Sequence, residues 1–92
     1  MAMMIMTYRV MPGDGDVEYS QLEKVTKETI GNYDQTAKVN WAKELGMSFG
    51  IKAVQINFSV DEARGSEALE EQLKKIEEVG DVIVESMSRA MG

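Results

Sequence analysis

In the segment Ile51–Val60, every second side chain from Val54 onward is large and apolar, and this alternation constrains the fold more than any other feature of the chain. The apolar positions are Val54, Ile56, Phe58 and Val60, and the small or polar ones between them are Ala53, Gln55, Asn57 and Ser59. Successive side chains of a β-strand point to opposite faces of its sheet. The segment therefore predicts a strand with one face in the core and the other face open.

Three more strands and two helices are predicted around this one. Alternating segments that predict strands occur at Met3–Met11, Thr36–Leu45 and Asp81–Met87. Two stretches instead repeat apolar residues at three- and four-residue steps, as amphipathic helices do. The repeated positions are Tyr19, Leu22, Val25, Thr29 and Ile30 in the first stretch, and Leu69, Leu73 and Ile76 in the second.

Turn-forming and capping residues predict where these elements begin and end. Asp16, at the end of the turn Pro12–Asp16, is predicted to cap the first helix, and Ser66 the second. Gly31 and Gly80 are predicted to follow the last helical turns in the left-handed conformation. The turn between the second and third strands is placed at Gly46–Ser48.

The order strand, helix, strand, strand, helix, strand predicts the fold class. Two strand–helix–strand units in tandem form an α+β, ferredoxin-like, two-layer sandwich, in which two helices cover one face of a four-stranded antiparallel sheet. A length of 92 residues fits a single domain, 1–92. Tyr8 and Phe58 are predicted beneath the helices, and Thr7, Arg9, Gln55 and Asn57 on the open face.

Composition excludes several classes of site. The chain contains no cysteine and no histidine, which excludes disulfides, thiolate zinc sites and imidazole metal sites. We expect no cofactor and no metal, and we interpret Met4 and Met6 as core residues rather than copper ligands. A net charge of −6 argues against binding to nucleic-acid phosphates. The apolar start is too short to span a membrane and lacks a basic signal region, so a cytoplasmic protein without membrane contact is expected.

The peptide Phe49–Asn57, FGIKAVQIN, adds a resemblance to a known family. Together with the strand order, it resembles the elongation factor 1-beta family in its short archaeal form. These proteins are guanine nucleotide exchange factors of the translation GTPase elongation factor 1-alpha. The resemblance covers nearly the whole chain, including Pro12 after the first strand and the acidic second helix. It implies exchange of GDP for GTP without bond-making chemistry of its own, a GDP-bound or nucleotide-free GTPase as partner, and a monomer when alone.

The resemblance also indicates the residues that bind the partner. Family members carry a Phe-Gly pair followed by an aliphatic residue at this point, and the Phe contacts the GTPase. From periodicity alone, the Phe49 ring is equally compatible with folding back over the core. The predicted partner-binding residues are Phe49, Gly50 and Ile51, with Met47 and Ser48 shaping the loop and with Lys52 and Arg89 as weaker polar contacts.

One departure from the family concerns the carboxyl end. Eukaryotic members carry a lysine there that intrudes at the magnesium site of the GTPase, whereas no lysine follows Lys75 in this chain. Arg89 is the nearby cation, and a guanidinium does not simply replace an ammonium. The lysine-wedge mechanism is therefore not expected here, especially since the fold places Phe49 and the chain end at opposite edges of the sheet.

Two other functions of the same fold remain as alternatives. RNA-recognition domains stack bases on aromatic residues of the first and third strands, whereas the open positions predicted here are mostly polar. Amino-acid-sensing domains leave little trace in a sequence. Trp41 is interpreted as a half-buried indole of an edge strand rather than a partner anchor. Pro12–Asp16 lacks the Lys-Ser/Thr of a phosphate loop and is interpreted as a turn.

Overall fold

A computed structural model describes residues 2–89 of the chain. The helices and strands are β1 Met3–Pro12, α1 Tyr19–Tyr33, β2 Lys38–Gly46, β3 Lys52–Asp61, α2 Glu67–Lys74 and β4 Val79–Arg89. Short 3-10 turns occupy Ser48–Gly50 and Glu62–Arg64. The predicted element order is thus confirmed. Within residues 2–89, no helix is long and apolar enough to cross a membrane.

The four strands form one antiparallel sheet in the order β2-β3-β1-β4. In the centre, β1 pairs with β3 from Met3 opposite Asp61 to Val10 opposite Val54. Helix α1 packs against β1, β2 and β3, and α2 packs against β4 and α1. This arrangement confirms the ferredoxin-like fold and leaves one face of the sheet open.

The core lies between the helices and the apolar face of the sheet. The side chains that are fully buried there include Met6, Tyr8, Val10, Val54, Ile56, Phe58 and Val60 from the sheet, and Leu22, Leu69 and Leu73 from the helices. The rings of Tyr8 and Phe58 meet edge to face, with centroids 4.9 Å apart. The alternation that predicted β3 therefore describes its packing correctly.

The helix ends differ from those predicted at α1. The helix begins at Tyr19 after Glu18, and the Asp16 amide instead donates to Oδ1 of Asp14 at 2.8 Å, within the loop. Gly31 lies inside the helix, which continues to Tyr33. The helix ends where the amide of Asp34 donates to the carbonyl of Ile30 at 3.1 Å. Asp16 was wrong as the cap because it lies two residues before the N-cap position, Glu18. Gly31 was wrong as the end because Asp34 ends the helix, and its carboxylate is held by the amides of Thr36 and Asp61.

The ends of α2 also depend on contacts that local sequence does not reveal. Ser66 takes the predicted N-cap position, but its side chain makes no capping hydrogen bond within the described part of the chain. The helix ends at Lys74, before Ile76, and Gly80 lies in β4 rather than in a helix cap. A Cβ on Gly80 would lie 2.6 Å from the carbonyl oxygen of Pro12. Glycine is therefore required there because the β1 and β4 backbones approach each other closely.

Three one-residue irregularities interrupt the edge strands, at Asn40, Gly80 and Glu85, and those at Asn40 and Glu85 bear on the open face. In β2, Val39 lies opposite Phe58 and Trp41 opposite Asn57, so Asn40 is an extra residue. Such a bulge reverses the face of every residue that follows, and it turns Trp41 away from the side of Val39 to the open face. In β4, a similar shift at Glu85 directs its carboxylate toward the open face.

Candidate functional site

The tip of the β2–β3 hairpin presents Phe49 to solvent. Its side chain is 100% exposed, whereas the other phenylalanine, Phe58, is fully buried. The ring therefore does not fold back over the core. An exposed phenyl group is the kind of side chain that anchors protein interfaces.

The hairpin turn places two successive residues in the left-handed region. Phe49 has φ 63° and ψ 28°, and Gly50 has φ 74°. The amide of Ile51 donates to the carbonyl of Ser48 at 3.4 Å, and the amide of Met47 donates to the carbonyl of Ile51 at 2.7 Å. These values describe a type I′ turn with Phe49 and Gly50 at its centre. The turn therefore lies two residues beyond Gly46–Ser48, where the sequence placed it.

Phenylalanine is an unfavourable residue for this turn position. Asn, Asp and Gly are preferred there because their side chains tolerate positive φ. For other L-residues, the clash of Cβ with the following carbonyl costs about 1–2 kcal/mol. Within residues 2–89, Phe49 is the one non-glycine residue with positive φ. Outliers of this kind cluster at functional sites.

A cleft separates the hairpin from the loop between β1 and α1. Its hairpin wall consists of Gly50, Ile51 and Lys52, and its other wall includes Asp14, Asp16 and Glu18. Nζ of Lys52 lies 2.9 Å from Oε1 of Glu44. Both of these side chains are exposed, so the ion pair contributes little to stability. Lys52 thus stands beside Phe49 with its ammonium group accessible to a partner.

The structure brings six of the seven predicted site residues together and separates the seventh. Met47, Ser48, Phe49, Gly50, Ile51 and Lys52 form the hairpin tip. Arg89 lies opposite Met4, near the other end of β1, and its guanidinium forms an ion pair with Glu62. The molecule is 41 Å in its longest dimension. Residues 90–92 lie outside the described residues.

A polar cluster occupies the centre of the open face. Nε of Arg9 donates to Oε2 of Glu85 at 2.9 Å, and Nε2 of Gln55 donates to Oε1 of the same carboxylate at 2.5 Å. The hydrogen bond from Gln55 is the largest cause that lowers the pKa of Glu85, and Arg9 lowers it further. Nearby, Nδ2 of Asn57 donates to Oγ1 of Thr7 at 3.0 Å. The four predicted open-face residues are therefore hydrogen-bonded in this face.

Trp41 is the open-face residue that sequence reasoning misplaced. Its indole is 42% exposed, and Nζ of Lys43 lies 5.3 Å from the ring centroid, within range of a cation–π interaction. A half-buried indole of an edge strand was expected, but strict alternation of Ala37, Val39 and Trp41 against Lys38 and Asn40 puts it on the side of Val39. The sequence carries no signal of the bulge at Asn40, because this irregularity appears only in the pairing with β3.

The other aromatic residues of the central strands are unavailable on this face. Tyr8 and Phe58 are fully buried on the helix side, so β1 and β3 do not present the stacking pair of an RNA-recognition domain. Among residues 2–89, no three carboxylates converge closely enough to hold a metal ion.

Comparison with known protein families shows which family this chain belongs to. The model of the EF-1 guanine nucleotide exchange domain matches residues 5–90. The chain belongs to the EF-1 guanine nucleotide exchange domain family. This membership confirms the resemblance found in the sequence and gives the exchange domain a nucleotide-exchange role in translation elongation.

Relatives from several archaea match the exchange domain along its length. The elongation factor 1-beta of Caldivirga maquilingensis is 33% identical, over 97% of this chain and 97% of its own. That of Methanothermobacter thermautotrophicus is also 33% identical, over 95% of this chain and 96% of its own. That of Thermoplasma volcanium is 27% identical, over 96% and 98% respectively.

Proposed function

We propose that this exchange domain promotes the replacement of GDP by GTP on elongation factor 1-alpha by binding its GTPase domain through the β2–β3 hairpin. In this proposal Phe49 enters a pocket of the GTPase and weakens the grip on nucleotide and magnesium. The proposal is supported above all by the Phe49 ring, which is fully exposed on a backbone with φ 63°.

Burial of this ring supplies the binding energy that the proposal needs. Removing a phenylalanine side chain from water contributes about 1.5–3 kcal/mol. All of this free energy is available for binding, because the ring is fully exposed to water in the free protein. The Gly50 position without a side chain allows the partner to approach the backbone beside the ring.

Exchange by this route involves no covalent step. Magnesium and the switch loops of a GTPase help to hold the nucleotide phosphates. A partner that binds only when these elements are displaced therefore lowers nucleotide affinity by the free energy of coupling between the two sites. The exchange domain acts as a binding protein in this scheme and makes or breaks no bond.

The remaining site residues have supporting roles. Met47, Ser48 and Ile51 hold the turn through their backbone hydrogen bonds, and Lys52 offers a cation beside the ring. Arg89 joins the same interface only if the partner extends along the whole sheet, because it lies at the opposite end of β1.

Release of a fluorescent GDP analogue from the cognate GTPase tests the proposal. We expect acceleration by the wild-type domain and a loss of about 2 kcal/mol, or about 30-fold in exchange efficiency, for Phe49→Ala. Met87→Ala is the matched control, since Met87 is also an exposed apolar side chain but lies in β4. No acceleration by the folded wild-type domain at micromolar concentration would remove the function. Equal rates for Phe49→Ala and wild type would place the site elsewhere.

A further inference from the structure

The area of a stable interface exceeds what the hairpin tip provides. Specific protein complexes bury about 800 Å² on each partner, whereas a single aromatic side chain buries about 150–250 Å². Phe49 therefore supplies at most about a third of such an interface. The remaining area must come from surface that adjoins the hairpin.

The exposed apolar side chains indicate which adjoining surface this is. Among residues 2–89, the exposed large hydrophobic residues are Trp41, Phe49, Ile83 and Met87. Trp41 lies opposite Asn57 and Ile83 lies opposite Arg9, so both are on the open face. Within the described part of the chain, neither helix exposes a large hydrophobic side chain. The apolar surface next to the hairpin is therefore that of the open face.

The open face is continuous with the hairpin. Leu45 and Ala53, the first facing pair on that side of β2 and β3, adjoin the turn, and Lys43 opposite Gln55 forms the next pair. Trp41 follows, about 17 Å along β2 from Gly46 at about 3.4 Å per residue. An interface of about 800 Å² extends about 30 Å across, so one partner can cover Phe49 and Trp41 together.

The charge of this face differs from that of the whole chain. The net charge is −6, yet the part of the open face formed by β2 carries Lys38 and Lys43. Within residues 2–89, no carboxylate lies within ion-pair distance of either lysine. Of the carboxylates on this face, Glu85 is already bonded to Arg9 and Gln55, and Asp61 and Asp81 lie on β3 and β4, opposite Met3 and Met11. A partner that complements this part of the open face carries carboxylates opposite Lys38 and Lys43.

We infer that the partner GTPase also covers the open face, with Trp41 as a second anchor and with acidic side chains opposite Lys38 and Lys43. This inference rests on the proposed exchange function and extends its site from the turn to the sheet. The geometry favours a protein over RNA as occupant, because the cationic area is small and a long polyanion would meet the acidic residues that dominate the chain.

Fluorine NMR tests the contact at Trp41 directly. Trp41 is the only tryptophan of the chain, so incorporation of 5-fluorotryptophan gives one ¹⁹F resonance from the open face. We expect this resonance to shift or broaden when unlabelled, nucleotide-free GTPase is added, and to remain unchanged with a single-stranded oligouridylate. An unchanged resonance in a complex that forms by gel filtration overturns the inference. A shift caused by the oligonucleotide but not by the GTPase overturns it in favour of RNA.

Exchange kinetics provide the second test and separate the two proposals. We expect Trp41→Ala to raise about tenfold the concentration of the exchange domain that gives half-maximal GDP release. Trp41→Phe should bring this concentration most of the way back to the wild-type value. The double variant Lys38→Glu/Lys43→Glu keeps the indole itself and should lower the association rate at least fivefold, with less effect at high salt. Lys24→Glu/Lys74→Glu, with one substitution in each helix, is the control with the same total change of charge.

The outcomes distinguish failure of this inference from failure of the exchange function. If the wild-type domain accelerates GDP release and Phe49→Ala does not, while the Trp41 and lysine variants behave as wild type, the second contact is refuted and the exchange function stands. If the wild-type domain itself has no effect on GDP release, both proposals fail together.

Discussion

At the scale of single residues, Phe49 occupies a position that the fold alone would give to another amino acid. The type I′ turn needs positive φ at its two central positions, and a phenyl side chain gains nothing there in the free protein because it touches only solvent. The turn is thus better suited to binding than to stability. Such a conflict between local structure and residue type is common where function, rather than folding, selects the side chain.

Replacement of Phe49 by asparagine should therefore stabilise the domain. Asparagine tolerates the left-handed conformation, so we expect Phe49→Asn to raise the free energy of unfolding by about 1 kcal/mol while exchange activity is lost. Urea denaturation followed by circular dichroism measures the change. Phe49→Ala is the control, since alanine keeps the Cβ clash and should remain close to wild type. A Phe49→Asn variant less stable than Phe49→Ala would show that the turn adopts another conformation.

Asp34 shows the opposite relation, a polar residue that the fold needs. Its carboxylate is buried and accepts from the amide of Asp61 at 2.7 Å and from the amide and hydroxyl of Thr36 at 2.9 and 2.7 Å. These hydrogen bonds, that of the Asp61 amide first, hold the pKa of Asp34 below its ordinary value. The carboxylate thereby joins the turn after α1 to the end of β3.

The lowered pKa makes part of the stability dependent on pH. A depressed pKa contributes stability that is present above the unfolded value of about 3.9 and is lost as pH falls through the folded value. We expect Asp34→Asn to cost about 1–3 kcal/mol at pH 7, because the amide cannot accept all of these bonds, and to show a smaller loss on acidification from pH 5 to pH 3. Asp14→Asn, at an exposed loop carboxylate, is the control. Equal acid sensitivity of Asp34→Asn and wild type would assign this dependence to other groups.

At the scale of elements, the strands and the faces of the central strands could be predicted because burial dictates a period of two. The apolar alternation of β3 and the stripe of α1 survive in the structure almost unchanged. Helix ends could not be predicted in the same way. Gly31 and Gly80 both looked like caps, yet one lies in a helix and the other is required where Pro12 approaches β4. These differences arise from contacts between residues far apart in the sequence.

Alanine substitutions at the two glycines should move stability in opposite directions. At Gly31 an added Cβ meets nothing within 4 Å, so Gly31→Ala should stabilise α1 by about 0.5–1 kcal/mol. At Gly80 the added Cβ meets the Pro12 carbonyl, so Gly80→Ala should cost about 1–3 kcal/mol through separation of β1 and β4. Thermal unfolding of the two variants measures both effects. A stabilised Gly80→Ala would contradict the close approach of the two strands.

At the scale of the whole molecule, the candidate site was predictable only where the sequence carries a local signature. The FGIKAVQIN peptide identified the hairpin residues, and the structure places them at one tip. The sequence did not reveal that the Trp41 indole faces outward, because the bulge that turns it depends on the pairing between β2 and β3. The separation of Arg89 from Phe49 was predicted, because the strand order places β4 and the β2–β3 hairpin on opposite sides of the sheet.

Nucleotide exchange by binding alone makes a prediction about affinity that concerns the entire complex. Any factor by which the domain weakens GDP binding must equal the factor by which GDP weakens binding of the domain. We therefore expect the domain to bind nucleotide-free GTPase more tightly than GDP-loaded GTPase, by about 5–150-fold. Titrations of a fluorescently labelled domain against both forms measure the ratio. Equal affinities for the two forms would contradict exchange by this mechanism.

The extra residue at Asn40 sets which side chains of β2 face the helices and which face outward. If Asn40 were paired in register while the hairpin pairs stayed as they are, Val39 would turn to the open face and Lys38 toward the helices, whereas Trp41, Lys43 and the turn would keep their positions. The number of residues between Val39 and the Phe-Gly pair therefore decides whether Val39 reaches the core. By leaving one residue unpaired, β2 keeps Val39 packed against the core and still presents the indole outward.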